Sequence, residues 1–152
     1  LKEFFFYNIT ERDFFKDSAI LIEQLFKQGI KALILCPDDE VSSFFDDYLW
    51  SFKEESFIPH TVLDSDTSHL EAIIISKEKL SMAAFKTLVI LKGSIVDTDY
   101  CNRFEKIYYF FDDNNDDEKK LARTLWRESV KQGTNCKYWK VEKNKWNLMR
   151  TG

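Results

Sequence analysis

The chain has 152 residues, 44% of them hydrophobic, with four glycines and two prolines, a composition that points to one compact domain over residues 1–152 and excludes a linker-rich or disordered chain. A formal net charge of -4 excludes a protein whose whole surface tracks a nucleic-acid backbone, so any such contact must be local. Cys36, Cys101 and Cys136 form neither a disulfide framework nor a metal knuckle, the longest apolar runs fall far below the roughly 18 residues of a membrane span, and the start is unlike a secretory signal, so a cytoplasmic protein is expected.

Short apolar runs alternate with amphipathic stretches along the chain. "EFFFYNI" from Glu3 reads as a strand, followed by a helix from Glu11 to Gln28 with Phe14, Ser18, Leu21, Ile22 and Leu25 on one side and Gly29 as its stop. "KALILC" from Lys31 completes a βαβ unit. A second helix spans Asp38 to Trp50, opened by Pro37 and acidic residues that complement its dipole. Val41, Phe44, Phe45, Tyr48 and Phe52 share one side of it, and Trp50 falls roughly opposite. "EAIIIS" from Glu71 is a strand, Lys79 to Lys86 a short helix, and "TLVILKG" from Thr87 and "KIYYFFD" from Lys106 are strands. A helix over Asp116 to Gly133 follows, capped from within "DDNNDD", and "KYWKV" from Lys137 closes the chain. Runs without polar alternation suit strands covered on both faces. The expected class is therefore a three-layer α/β/α, Rossmann-like domain with a mostly parallel central sheet.

Several chemistries are disfavoured. "NITERD" and "CPDDEV", after the first two strands, lack the glycines that let backbone amides approach phosphate. "DSDTSHLEAIII" from Asp64 begins like a calcium loop, but His69 stands where glycine is needed and Ile75 where a bidentate Glu belongs. His60 and His69 are the two histidines, and neither has a cysteine nearby. No metal, cofactor or catalytic constellation is expected.

The last helix stands apart. Lys119, Arg123, Arg127 and Lys131 recur at every fourth position, and at about 100° per residue they form one slowly rotating row. Leu121, Ala122, Leu125 and Ser129 face inward. Trp126 sits at the border and Val130 among the cations, so positive charge and apolar surface lie side by side. The plain alternative is that the cations solvate an exposed helix and pair with Glu128 and Asp116.

Two segments resemble one family. "YLWSFKEESFIPH", Tyr48 to His60, resembles the Leu-Trp … Ser-Phe-(Val/Leu/Ile)-Pro-His signature of the chi subunit of bacterial DNA polymerase III holoenzyme. "LARTLWRESVKQG", Leu121 to Gly133, is similar to that family's Ala-Arg … aromatic-(Lys/Arg) helix and the glycine ending it. The order of strands also fits, so the resemblance covers nearly the whole chain. It implies a non-catalytic accessory subunit that bridges the clamp loader, through the psi subunit, to single-stranded-DNA-binding protein by holding that protein's acidic, phenylalanine-ended C-terminal tail. The family's tail pocket maps onto Lys119, Arg123, Trp126 and Arg127, with tryptophan where tyrosine is usual and arginine where lysine is usual. Trp50, Phe57, Pro59 and His60 resemble a second segment associated with psi or a helicase partner; the alternative there is a loop that plugs the core. The last residues, "VEKNKWNLMRTG", run longer than the family pattern, and Asp64 to Leu70 has no match in it. Direct binding of single-stranded nucleic acid, with Trp126 as a stacking platform, stays open as a reading of a different class. An enzyme of nucleotide metabolism is a third, weakened by the missing phosphate loop.

Overall fold

The computed structural model describes residues 1–10, 13–51, 60–62, 72–142 and 145–152. Strand β1 (Glu3–Asn8) leads into α1 (Phe14–Lys27), β2 (Ala32–Leu35), α2 (Asp39–Ser51), β3 (His60–Val62) and β4 (Ile73–Ser76). Then come β5 (Thr87–Ile90), α3 (Thr98–Cys101), β6 (Lys106–Phe111), α4 (Asp116–Lys131), β7 (Asn135–Glu142) and β8 (Lys145–Thr151). The strands form one sheet in the order β3-β4-β2-β5-β6-β1-β7-β8. Every pairing is parallel except β7 with β8. This is the mostly parallel three-layer α/β arrangement the apolar runs imply. No helix among the described residues is long and apolar enough to cross a membrane.

Two cores lie on opposite faces of the sheet. On one, Ile22 and Leu25 of α1 and Phe45 and Leu49 of α2 pack over Ile34, Ile73, Ile75 and Val89. On the other, Ala122 and Leu125 of α4, with Tyr100 and Cys101 of α3, pack over Phe4, Phe6, Leu88, Ile107 and Tyr109. The central strands β2, β4 and β5 are buried at every residue because helices cover both their faces. Strand β1 differs. Phe4, Phe6 and Asn8 are buried toward α4, whereas Phe5 and Tyr7 on the other face are half-buried.

Local chemistry sets the helix ends. The Asn115 side chain accepts from the backbone N–H of Asp117 and of Glu118, each at 3.1 Å, which satisfies two orphan donors of α4. Asp116, Asp117 and Glu118 in its first turn complement the dipole. Gly133, at φ 83°, takes the left-handed conformation that ends it.

Three expectations are corrected. Lys79 to Lys86 is not a helix: Phe85 is buried, its N–H bonds Met82 O at 3.0 Å, and Lys86 O accepts from Glu105 and Lys106 as the chain enters β5. Eight residues gain too little from helix formation to outweigh those tertiary bonds. The buried stripe of α2 is Ser42, Phe45 and Leu49, while Phe44 is 53% exposed and lies on Phe15 of α1, ring centroids 4.6 Å apart. Phe52 lies outside the described residues. "KYWKV" does not close the chain, because β8 follows and pairs with it as a hairpin. Strand β3 and helix α3 were also unanticipated. The segment from Asp64 that begins like a calcium loop, a chemistry the sequence disfavours, lies outside the described residues apart from its last four positions.

Candidate functional site

Helix α4 and the β6-β1-β7-β8 end of the sheet enclose a cleft of about 700 Å³. Its floor follows from strand register: Phe6 of β1 pairs with Tyr138 of β7 and Tyr109 of β6, so alternate residues of neighbouring strands point to the α4 side together. Phe6, Phe111 and Tyr138 supply an aromatic base. Asn8 donates to the Tyr138 hydroxyl at 3.1 Å and fixes that ring. Burial pushes the Tyr138 phenol above its usual range, against the opposing effect of this hydrogen bond, so the ring is neutral and the base carries no charge at pH 7.

The apolar wall is Trp126 with Val130. The Trp126 ring meets Phe6 edge-on, centroids 5.2 Å apart at 61°. This partial burial matches the border position on the helix wheel. Val130 is 37% exposed. Gly152 lies against both: a Cβ there would fall 2.5 Å from Val130 Cγ2 and 3.1 Å from the Trp126 ring.

Five cations, Lys119, Arg123, Arg127, Lys131 and Arg150, border the cleft against one carboxylate, Asp113. Among the described residues none of the five forms an ion pair. Glu128, the expected partner in the solvation alternative, instead accepts from Thr98 Oγ1 of α3 at 2.9 Å. Glu118 is buried, 3.6 Å from Lys92. Glu118 and Glu128 are thus engaged elsewhere, Asp116 forms no ion pair among the described residues, and the cations of the helix are left for an anion.

The predicted residues fall in two places. Lys119, Arg123, Trp126 and Arg127 line this one cleft. Trp50 is on α2, which packs on the opposite face of the sheet, and is 47% exposed. Phe57 and Pro59 lie outside the described residues, and His60 opens β3, paired with Ile73. Sequence reasoning missed Phe6, Phe111 and Tyr138, whose place depends on strand register, and Arg150, whose strand was not recognised.

Other sites offer little chemistry. Burial pushes the thiols of Cys36 and Cys101 up to about 12 and that of Cys136 to about 11, so all three stay protonated and poorly nucleophilic. The described residues contain no group of acids, histidines and cysteines fit to hold a metal. At the carboxyl ends of β1 and β6, where open α/β sheets commonly take nucleotides, side chains bond one another. Thr10 Oγ1 lies 2.7 Å from Asn8 Oδ1 and 2.8 Å from Asp112 Oδ1. That corner presents carboxylate to solvent and would repel phosphate.

The family model of the DNA polymerase III chi subunit, HolC, matches residues 1–137. A DNA polymerase III subunit chi of Pseudomonas aeruginosa is 39% identical over 46 residues, which cover 30% of this chain and 32% of that protein. The match thus spans about a third of the length of that curated relative.

Proposed function

The chain belongs to the DNA polymerase III chi subunit family, whose members are accessory subunits in replication, and from that premise we propose that it is a non-catalytic link between the clamp loader and single-stranded-DNA-binding protein. The α4 cleft holds the acidic C-terminal tail of the latter. The observation that carries this reading is the juxtaposition of five cations, unpaired among the described residues, with an aromatic slot. A tail of aspartates ending in phenylalanine needs cations for its carboxylates and an apolar recess for its ring, at one place. Arginine can grip a terminal carboxylate through two parallel hydrogen bonds, which Lys119 or Lys131 cannot.

Direct single-strand binding is the weaker reading. A stacking platform needs an open aromatic face, and the Trp126 ring is covered by Arg150 Cζ at 5.7 Å and packed edge-on against Phe6. The second partner, psi or another clamp-loader component or a helicase, would use the α2 end at Trp50 with Phe57, Pro59 and His60. Because α2 and α4 lie on opposite faces of the sheet, both partners can be held together. The continuous eight-stranded sheet supports residues 1–152 acting as one domain, and a subunit of the replication machinery works in the cytoplasm.

The test is fluorescence anisotropy with a short acidic peptide ending in phenylalanine and the same peptide lacking it, at about 0.15 M salt, where exposed charges are screened beyond roughly 8 Å. The full peptide should bind much more tightly. Equal binding would leave a basic face with no pocket.

A further inference from the structure

The family match ends at Lys137, yet the cleft does not. Strand β8, wholly beyond the matched residues, adds Arg150 to its border. We propose that β8 forms a wall of the tail cleft and that Arg150, held over the Trp126 ring, is an anion-binding side chain that tightens selection for tails carrying a carboxylate beside their apolar end. This deepens the tail-site reading and rests on it.

The geometry is specific. Arg150 Cζ lies 5.7 Å from the Trp126 ring centroid. A guanidinium held over an indole by cation–π attraction leaves N–H donors available to carboxylates. That contact also restricts the long side chain beforehand, so less freedom is lost when an anion arrives. Arg150 forms no ion pair among the described residues.

A strand irregularity aims it there. Trp139 pairs with Leu148 but Tyr138 pairs with Arg150, so Met149 is an extra residue. Paired residues share a face. Trp139 lines the groove on the α1 side and Tyr138 the cleft on the α4 side, which places Leu148 with the first and Arg150 with the second. Strict alternation from Leu148 would send Arg150 to the α1 side. The bulge reverses that, and redirecting a side chain is what bulges at sheet edges do.

The experiment uses the full chain and a labelled peptide with several aspartates and a terminal phenylalanine. Arg150→Ala should weaken binding about three- to tenfold, and Arg150→Lys should recover part of the loss. Deleting Met149 makes Arg150 follow Leu148 directly, still opposite Tyr138 and on the cleft side, so that variant should bind nearly as tightly as the unaltered chain. Thermal unfolding of each variant shows whether it remains folded, and Arg150→Lys serves if the deletion does not. A peptide whose aspartate nearest the phenylalanine is replaced by asparagine should lose affinity for the unaltered chain and much less for Arg150→Ala. Unaltered binding by Arg150→Ala, while the unaltered chain binds tightly, overturns the role of Arg150 and leaves the tail site standing. No binding by the unaltered chain overturns the tail site and Arg150's role with it.

Discussion

On the α4 side of the sheet, Phe6 and Tyr138 floor a cleft of about 700 Å³ bordered by five cations. On the α1 side, their chain neighbours Tyr7 and Trp139 line a groove of about 290 Å³ where, among the described residues, Asp17 is the one charged side chain. Two depressions of opposite character are therefore built from consecutive residues of the same two strands. Sheet alternation supplies aromatic surface to both, and the covering helix decides the chemistry. Helix α4 turns a row of Lys and Arg to its cleft, whereas α1 offers Ile20, Leu21 and Gln24 to its groove. An acidic, phenylalanine-ended peptide has reason to enter the first and to avoid the second.

The sharpest way to break this contrast is to remove charge from each side. Replacing Arg123 and Arg127 together by Ala should cost about 3 kcal/mol of peptide binding, roughly a hundredfold. Asp17→Asn should leave affinity unchanged. Anisotropy titrations of the two variants decide it, and a large effect of Asp17→Asn would mean that the peptide uses the groove.

Tryptophans offer the next comparison. Trp126 meets Phe6 edge-on at 5.2 Å, and Trp146 meets Tyr7 edge-on at 5.3 Å on the opposite face. Each is partly buried, so truncation to Ala should destabilise the fold by about 2 kcal/mol in either case. Denaturant unfolding should place the two variants close together. Peptide binding should separate them, falling for Trp126→Ala alone.

The caps of the two helices come third. Asn115 accepts two backbone N–H groups at 3.1 Å, whereas Asp13 accepts one, from Lys16, at 3.2 Å. Asn115→Ala should cost about 1 kcal/mol and Asp13→Ala about half as much. Tm values of the two variants in reversed order would show that the caps are not governed by their local bonds.

Much of the contrast could be read before the structure was known. The row from Lys119 to Lys131 follows from helical spacing alone, and so does the border place of Trp126. The buried runs of β2, β4 and β5 were legible because strands covered on both faces leave no polar alternation. What stayed hidden depends on pairing. "KWNLMRT" has mixed polarity and mostly exposed side chains, so β8 exists through its bonds to β7 rather than through burial. Its bulge, which sets the direction of Arg150, leaves no mark in the sequence. Helix α3 is four residues long, below the reach of periodicity, and rests on the Asp97 cap and its packing under α4. In α2, periodicity found an apolar side but could not choose between Phe44 and Leu49, because the neighbouring α1 and the sheet compete for them.

The smallest expected effect tests whether both faces are equally dry. Cys36 belongs to the core on the α1 side and Cys136 to the core on the α4 side, beneath the cleft. Burial raises the first from an ordinary 9.0 to about 12 and the second to about 11. A thiol whose folded value is raised binds its proton more firmly in the folded state. Its contribution is fully present below pH 9 and is lost as pH rises from there toward the folded value. At pH 9 the folded thiols remain protonated while the unfolded ones are half ionised, so the loss relative to pH 7 is about 0.4 kcal/mol per thiol. That figure depends on the unfolded thiol and hardly on how far burial raises the folded one. Cys36→Ala and Cys136→Ala should each remove the same share of the pH dependence between 7 and 9, measured as the change in unfolding free energy. A smaller share for Cys136 would mean that water reaches the core through the floor of the cleft, and that the cleft is deeper than its aromatic base.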